Sequence, residues 1–184
     1  MDHSDTGLRA VCKSLTDVIA PSLKPDDPLA REQLSLIVHY LEFLRSRLDH
    51  LHARERFQLA DARTLAVLVR EAAPDAPDTA ALASAIAAAG DLLADHRAAT
   101  ADLREATARA HHAVSGIVQA APGLPAEVSR RIALAVIDGT ADRIAMERAW
   151  YLPMGLDPAP AEVPALETLL GRYAGNPETS ATAE

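Results

Sequence analysis

The amino-acid sequence predicts an all-α protein, a helical bundle around a long antiparallel hairpin. Three observations carry this. Apolar residues recur every three or four positions and do not alternate over the length of a strand. The main breaks in that pattern carry Pro or Gly. The chain is 49% apolar but only 3% aromatic, so its interior must be built largely of Ala and Leu, both strong helix formers. Such a core is thin and calls for closely spaced helices.

The first predicted helix runs from Ser4 or Asp5 to Ala20, with Leu8, Val11, Leu15, Val18 and Ile19 as its stripe. Pro21 and Pro25 break it. The second, over about 27–73, starts with Asp27 as N-cap and Pro28 in the first turn, where a missing N–H costs nothing. Leu34, Ile37, Leu41, Leu44, Leu48 and Leu51 form a heptad seam. The seam weakens at Arg54, Glu55 and Arg56 and resumes in a shifted phase, which marks a stutter or a short break. Pro74, Asp75, Ala76, Pro77 and Asp78 then punctuate the chain, with Asp78 as the next cap.

The third helix spans about 78–121, with Leu82, Ile86, Leu103, Val114 and Ile117 near one seam. Unbroken, each arm would be roughly 65 Å long at 1.5 Å per residue. The short link makes the arms antiparallel neighbours. A shorter fourth helix follows Pro125 and reaches about Leu152, with Ile132 to Ile137 expected to be its most buried stretch. Gly139 there would admit a close backbone approach. A short fifth helix covers Glu162 to Tyr173. A single domain over 1–174 and a disordered tail over 175–184 complete the reading.

A net charge of -8 argues against nucleic acid, which calls for a basic patch, and against an anionic membrane surface. No apolar run is long enough to span a bilayer, and Met1 to Ser14 does not read as a signal peptide. A cytoplasmic protein of bacterial type is expected. The single cysteine, Cys12, lies among Val11, Leu15 and Val18 and is expected in a core rather than in chemistry.

Histidines supply the main chemical alternative. With the hairpin turn centred near Ala76, His39 would stand opposite His112, with Glu42 one turn from His39. Two imidazoles and a carboxylate could hold a divalent metal. A second cluster, Asp49, His50, His52 and Glu55, would face Asp102. The paired Glu-x-x-His motifs of di-metal bundles are absent, so no metal and no cofactor is expected. Trp150 and Tyr151, with Met146 and Met154, read either as a pocket lining or as a cap on the core. No nucleophile elbow, phosphate-binding loop or zinc-protease helix is present.

The first fifty residues carry a further pattern: Leu8, Val11 and Leu15, then Val18-Ile19-Ala20-Pro21, then Asp27 to Leu34, then Leu41, Leu44 and Leu48. Over about residues 8–50 this resembles small helical proteins encoded beside phosphotransferase-like kinases and acyl-CoA dehydrogenase-like enzymes. The resemblance implies an accessory role in support of such a kinase, in acyl-CoA or other small-molecule metabolism. It transfers no functional residue.

The expected function is therefore a non-catalytic helical accessory or interaction protein. The alternative is a small-molecule- or metal-binding bundle with enzymatic activity. The partner is expected to be a second copy or a larger enzyme. In the long-hairpin reading, the shorter helices leave the distal half uncovered, so Leu65, Val67, Val69, Leu82 and Ile86 are the candidate partner-binding residues. Val67 and Val69 point roughly 200° apart on a helix and cannot both fill one seam.

Overall fold

A computed structural model describes residues 3–171. The protein is all-α, with no strand among the described residues. The contacts divide it into two compact units where a single bundle was expected: 3–51 with 150–163, and 52–149 with 164–171.

In the first unit, α1 covers Ser4–Ser14 and continues through a wider π turn at Leu15–Ile19 to Ser22. Pro21 explains the widening. It has no N–H to donate, and its ring crowds the carbonyl four residues back. The Ala20 N–H reaches five residues back to the Leu15 carbonyl, and the Ser22 hydroxyl donates to the Val18 carbonyl at 2.7 Å. The proline thus reshapes the helix one turn before ending it. Helix α2, Pro28–Arg47, begins as the sequence predicts: the Asp27 carboxylate accepts the Ala30 N–H at 2.9 Å. Arg45 reaches both Glu42 and Asp5, at 2.8 and 3.1 Å, and ties α1 to α2.

The predicted arm over 27–73 is not one helix. A 3-10 turn at Leu48–His50 interrupts it, earlier than the charged stretch at 54–56, and α3 then runs unbroken from Leu51 to Ala72. Just before this turn, Arg47 is buried, and its Nε donates to the Trp150 carbonyl at 2.9 Å. Its guanidinium lies over the Trp150 ring, 5.4 Å from the centroid. Phe43 stacks on Tyr151 at 5.5 Å. Trp150 and Tyr151 thus secure the returning segment to α2.

The other arm is broken as well, and here the sequence gives no Pro or Gly at the break. Helix α4, Thr79–Ala94, and helix α5, Thr100–Ala120, reverse on one another through 95–99. Asp95 makes its own turn, its side chain accepting the Arg97 N–H at 2.8 Å. Arg56 of α3 donates to the carbonyl of Leu93 in the last turn of α4 and to that of Asp95 just beyond it, which also accepts the Ala98 N–H. Asp78, expected as a cap, makes no capping bond; it takes a left-handed conformation at φ 62°.

The core of this second unit gathers Leu65, Ala66, Val69, Leu82, Ile86, Val114, Ile117 and Ile132. Four of the five residues proposed for partner binding, Leu65, Val69, Leu82 and Ile86, are therefore buried in the chain's own interior, and Val67 is half-buried against it. The distal segment is not an uncovered arm, because α5 folds back over α4.

The expected fourth helix splits into α6, Ala126–Asp138, and α7, Ala141–Tyr151. Only Ile132 of the stretch from Ile132 to Ile137 is buried; Ile137 is 66% exposed. One face of α6 meets the core and nothing among the described residues covers the other. A Cβ added at Gly139 would lie 2.8 Å from a Leu65 methyl and 2.9 Å from the Ala135 carbonyl oxygen, so the close approach is real. Helix α8 is Leu166–Gly171, with Leu166, Leu169 and Leu170 buried. The proposed tail at 175–184 and the end of the fifth predicted helix lie outside the described residues.

Two outcomes are expected. Val69→Asp should cost at least ~3 kcal/mol of stability by placing an unpaired carboxyl in a packed interior. Denaturant unfolding will register this as a lowered midpoint, and any loss of association would be secondary to it. Gly139→Ala should cost ~1–3 kcal/mol by overpacking against Leu65, measured in the same way.

Candidate functional site

The residues proposed as metal ligands fall apart in the fold. His39 and Glu42 line a groove of the first unit, about 630 Å³, over an apolar floor that includes Ala20, Leu23, Leu34 and Val38. His112 belongs to the second unit. It lines a shallow groove of small residues between α4 and α5. Among the described residues no group of three His, Cys, Asp or Glu side chains is arranged to hold a metal ion. The second histidine cluster is also dispersed. His52 Nδ1 lies 3.3 Å from the Thr100 hydroxyl, and Glu55 pairs with Arg104 at 2.7 Å.

Cys12 is buried, as the sequence suggested. Burial pushes its thiol pKa up, and the charge of Glu42 adds to the effect. That is the opposite of what activates a nucleophilic cysteine.

A cleft absent from the sequence reading is the best-built site. It occupies about 300 Å³ within the second unit. One face from each of three helices lines it, at helical spacing: Glu55, Gln58 and Asp61 of α3; Arg104, Thr107 and His111 of α5; Arg143 and Glu147 of α7. Its charges are unevenly matched. Arg104 holds Glu55, and Arg54 grips both oxygens of Glu147 at 3.0 Å. Asp61 is only 5% exposed, and none of the described residues hydrogen-bonds to it or pairs with it. Arg143, on the exposed side of α7, likewise has no carboxylate within ion-pair distance among the described residues.

Burial raises the Asp61 pKa from 3.8 to about 6; Arg143 opposes this and Asp142 reinforces it. Burial and the nearby Arg143 lower the pKa of His111 below 6.5, which favours neutral imidazole. Its Nε2 is buried and has no hydrogen-bond partner. The cleft thus holds a carboxyl made easier to protonate and an imidazole made harder to protonate, both lining one cavity.

The signal for this cleft was present but dilute. Asp61 sits at a position one turn from Leu65, on the inward side of α3, where a lone acid is unusual. The arrangement of α5 beside it depends on the reversal at 95–99, which the sequence did not mark.

The raised pKa has a consequence for stability. The folded-state value lies above the unfolded one, so Asp61's contribution is fully present below about 3.8 and is lost as pH rises through about 6. The difference amounts to ~3 kcal/mol at neutral pH. Asp61→Asn should remove this penalty. Its unfolding free energy should exceed the parent's at pH 8 and approach it near pH 4, as measured by denaturant titration at the two pH values.

No family model, curated protein or solved structure matches the chain.

Proposed function

We propose that this chain is a non-catalytic helical interaction protein whose first unit docks against a second copy of itself. One observation carries the reading. Helix α2 presents Leu29, Leu36, Ile37 and Tyr40 to solvent, each at least half exposed. Leu29, Leu36 and Tyr40, spaced by seven and four, lie along one face, and Ile37, three residues before Tyr40, borders it. The opposite side of α2 holds α1 through Arg45 and the buried Cys12. Exposed apolar residues grouped on one helix face among polar neighbours mark a contact surface more often than scattered ones do.

A copy of the chain offers the same apolar face, and the charges of α2 as a whole are mixed in sign. Arg31 and Glu32 near the start of α2 and Glu42 and Arg45 near its end carry both signs. An antiparallel two-fold contact of α2 with its mate then brings stripe to stripe without net repulsion. Eight half-exposed side chains at about 1 kcal/mol each work against an association cost on the order of 4–15 kcal/mol. The dimer is therefore expected to depend on concentration.

The resemblance over 8–50 falls on this same unit. It adds a phosphotransferase-like kinase of acyl-CoA or small-molecule metabolism as the enzyme the protein would support, in a cytoplasmic setting. No described helix is long and apolar enough to cross a membrane. The other reading, a small-molecule-binding bundle, draws its support from the polar cleft of the second unit.

Sedimentation velocity over a concentration series tests the proposal. The parent chain should shift from monomer to dimer, and Ile37→Asp should remain monomeric with unchanged helicity and melting. A parent chain that stays monomeric up to about 100 µM, or an Ile37→Asp variant that dimerises as well as the parent, would count against it.

A further inference from the structure

We propose that the cleft of the second unit is a binding site for a small zwitterion of amino-acid size, with its ammonium on Asp61 and its carboxylate on Arg143. Five charged residues line the cleft: Glu55, Asp61, Arg104, Arg143 and Glu147. Glu55 and Glu147 are held by arginines, and Arg104 is spent on Glu55. That leaves Asp61 and Arg143, opposite in sign, on different helices, and facing one cavity. Each feels the other's charge, yet they are too far apart to pair.

A buried carboxyl without a hydrogen bond is costly, and a fold normally supplies it with a partner. Here the space beside it is a cavity of about 300 Å³. A molecule with a cationic end and an anionic end could bridge the two groups and complete both pairs at once. An amine alone would leave Arg143 unmatched, and a carboxylate alone would leave Asp61 unmatched.

His111 adds a third contact. Its Nε2 is buried in the same cleft without a partner. With the ring neutral and its proton on Nδ1, Nε2 accepts a hydrogen bond. An ammonium group has three N–H donors, so it can serve Asp61 and His111 together. The exposed position of Arg143 lets its guanidinium receive the outer, carboxylate end as a two-pronged donor.

The test uses the full chain and a ladder of probes: glycine, β-alanine, 4-aminobutyrate and 5-aminopentanoate, with butylamine and butyrate as single-ended controls. Binding is followed by calorimetry. One rung should bind saturably at one per chain. Asp61→Asn and Arg143→Gln should each weaken it about tenfold or more. Arg143 lies on the surface, so its variant is expected to fold. If no rung binds, the proposal fails. It fails equally if butylamine binds as tightly as 4-aminobutyrate and Arg143→Gln changes nothing.

Carboxyl NMR of the free protein supplies the second arm. Asp61 should titrate near 6 without a probe and fall when the best rung is added. A midpoint below 3.8 in the free protein would mean that Arg143 already closes on Asp61, leaving no site. None of these outcomes depends on whether the first unit dimerises.

Discussion

The second unit is organised by the grip of Arg56 on the end of α4, through the carbonyls of Leu93 and Asp95. A helix end leaves its final C=O groups without partners inside the helix. Arg56 bonds that of Leu93 and, just beyond the helix, that of Asp95, whose side chain turns the chain there. The reversal lets α5 run back along α4. That in turn places Leu103, Ala106 and Ala110 in the interior and brings Arg104, Thr107 and His111 beside α3. Without it, 79–120 would be one long rod, and the cleft would lack one wall.

The scarcity of large side chains sets the second constraint. Small residues such as Ala62, Ala66, Ala89 and Ala110 are fully buried and let helices approach closely. An interior of that kind is shallow. It can satisfy one face of a helix and has little left to cover the other. This accounts for a buried Ile132 on the same helix as an exposed Ile137, and for the open stripe on α2. The few aromatic rings are concentrated accordingly: Phe43, Trp150 and Tyr151 cluster around Arg47, where a small unit has no other means of closing.

These constraints decide what the sequence could disclose. The helix start at Asp27-Pro28 was legible because the cap and the proline act locally. The all-α class was legible because period is a local property too. The break at 95–99 was not, because its cause is an arginine 39 residues away from Asp95 in sequence. The break at Leu48–His50 coincides with the Arg47 bond to the Trp150 carbonyl, a separation of 103 residues. Leu82 and Ile86 do face inward, as their spacing predicts, but Val69, expected at a partner surface, lies in the chain's own core. That followed from taking two interrupted segments as unbroken helices. His39 and His112 had been paired by the register of such a hairpin, and no three ligating side chains gather among the described residues. Of the cleft, the helical spacing was visible, but its unequal charge pairing was a product of three helices meeting.

Two acids on α3 show how much that meeting matters. Glu55 and Asp61 are both largely buried, less than two turns apart on one helix, and both face the same cleft. Glu55 is matched by Arg104 from α5. Asp61 has Arg143 within electrostatic reach and no closer, with Asp142 on the same helix acting against it. If stability alone shaped this position, an apolar or amide side chain of similar size would serve better, because breaking up a charge pair is costly only where a pair exists. The carboxyl is tolerated because Arg143 opposes part of the cost of burial and because it can take up a proton near pH 6. A group held in that state responds strongly to whatever enters beside it. A cation placed beside Asp61 would offset by its charge the cost that burial imposes on the carboxylate, as Arg143 already does in part.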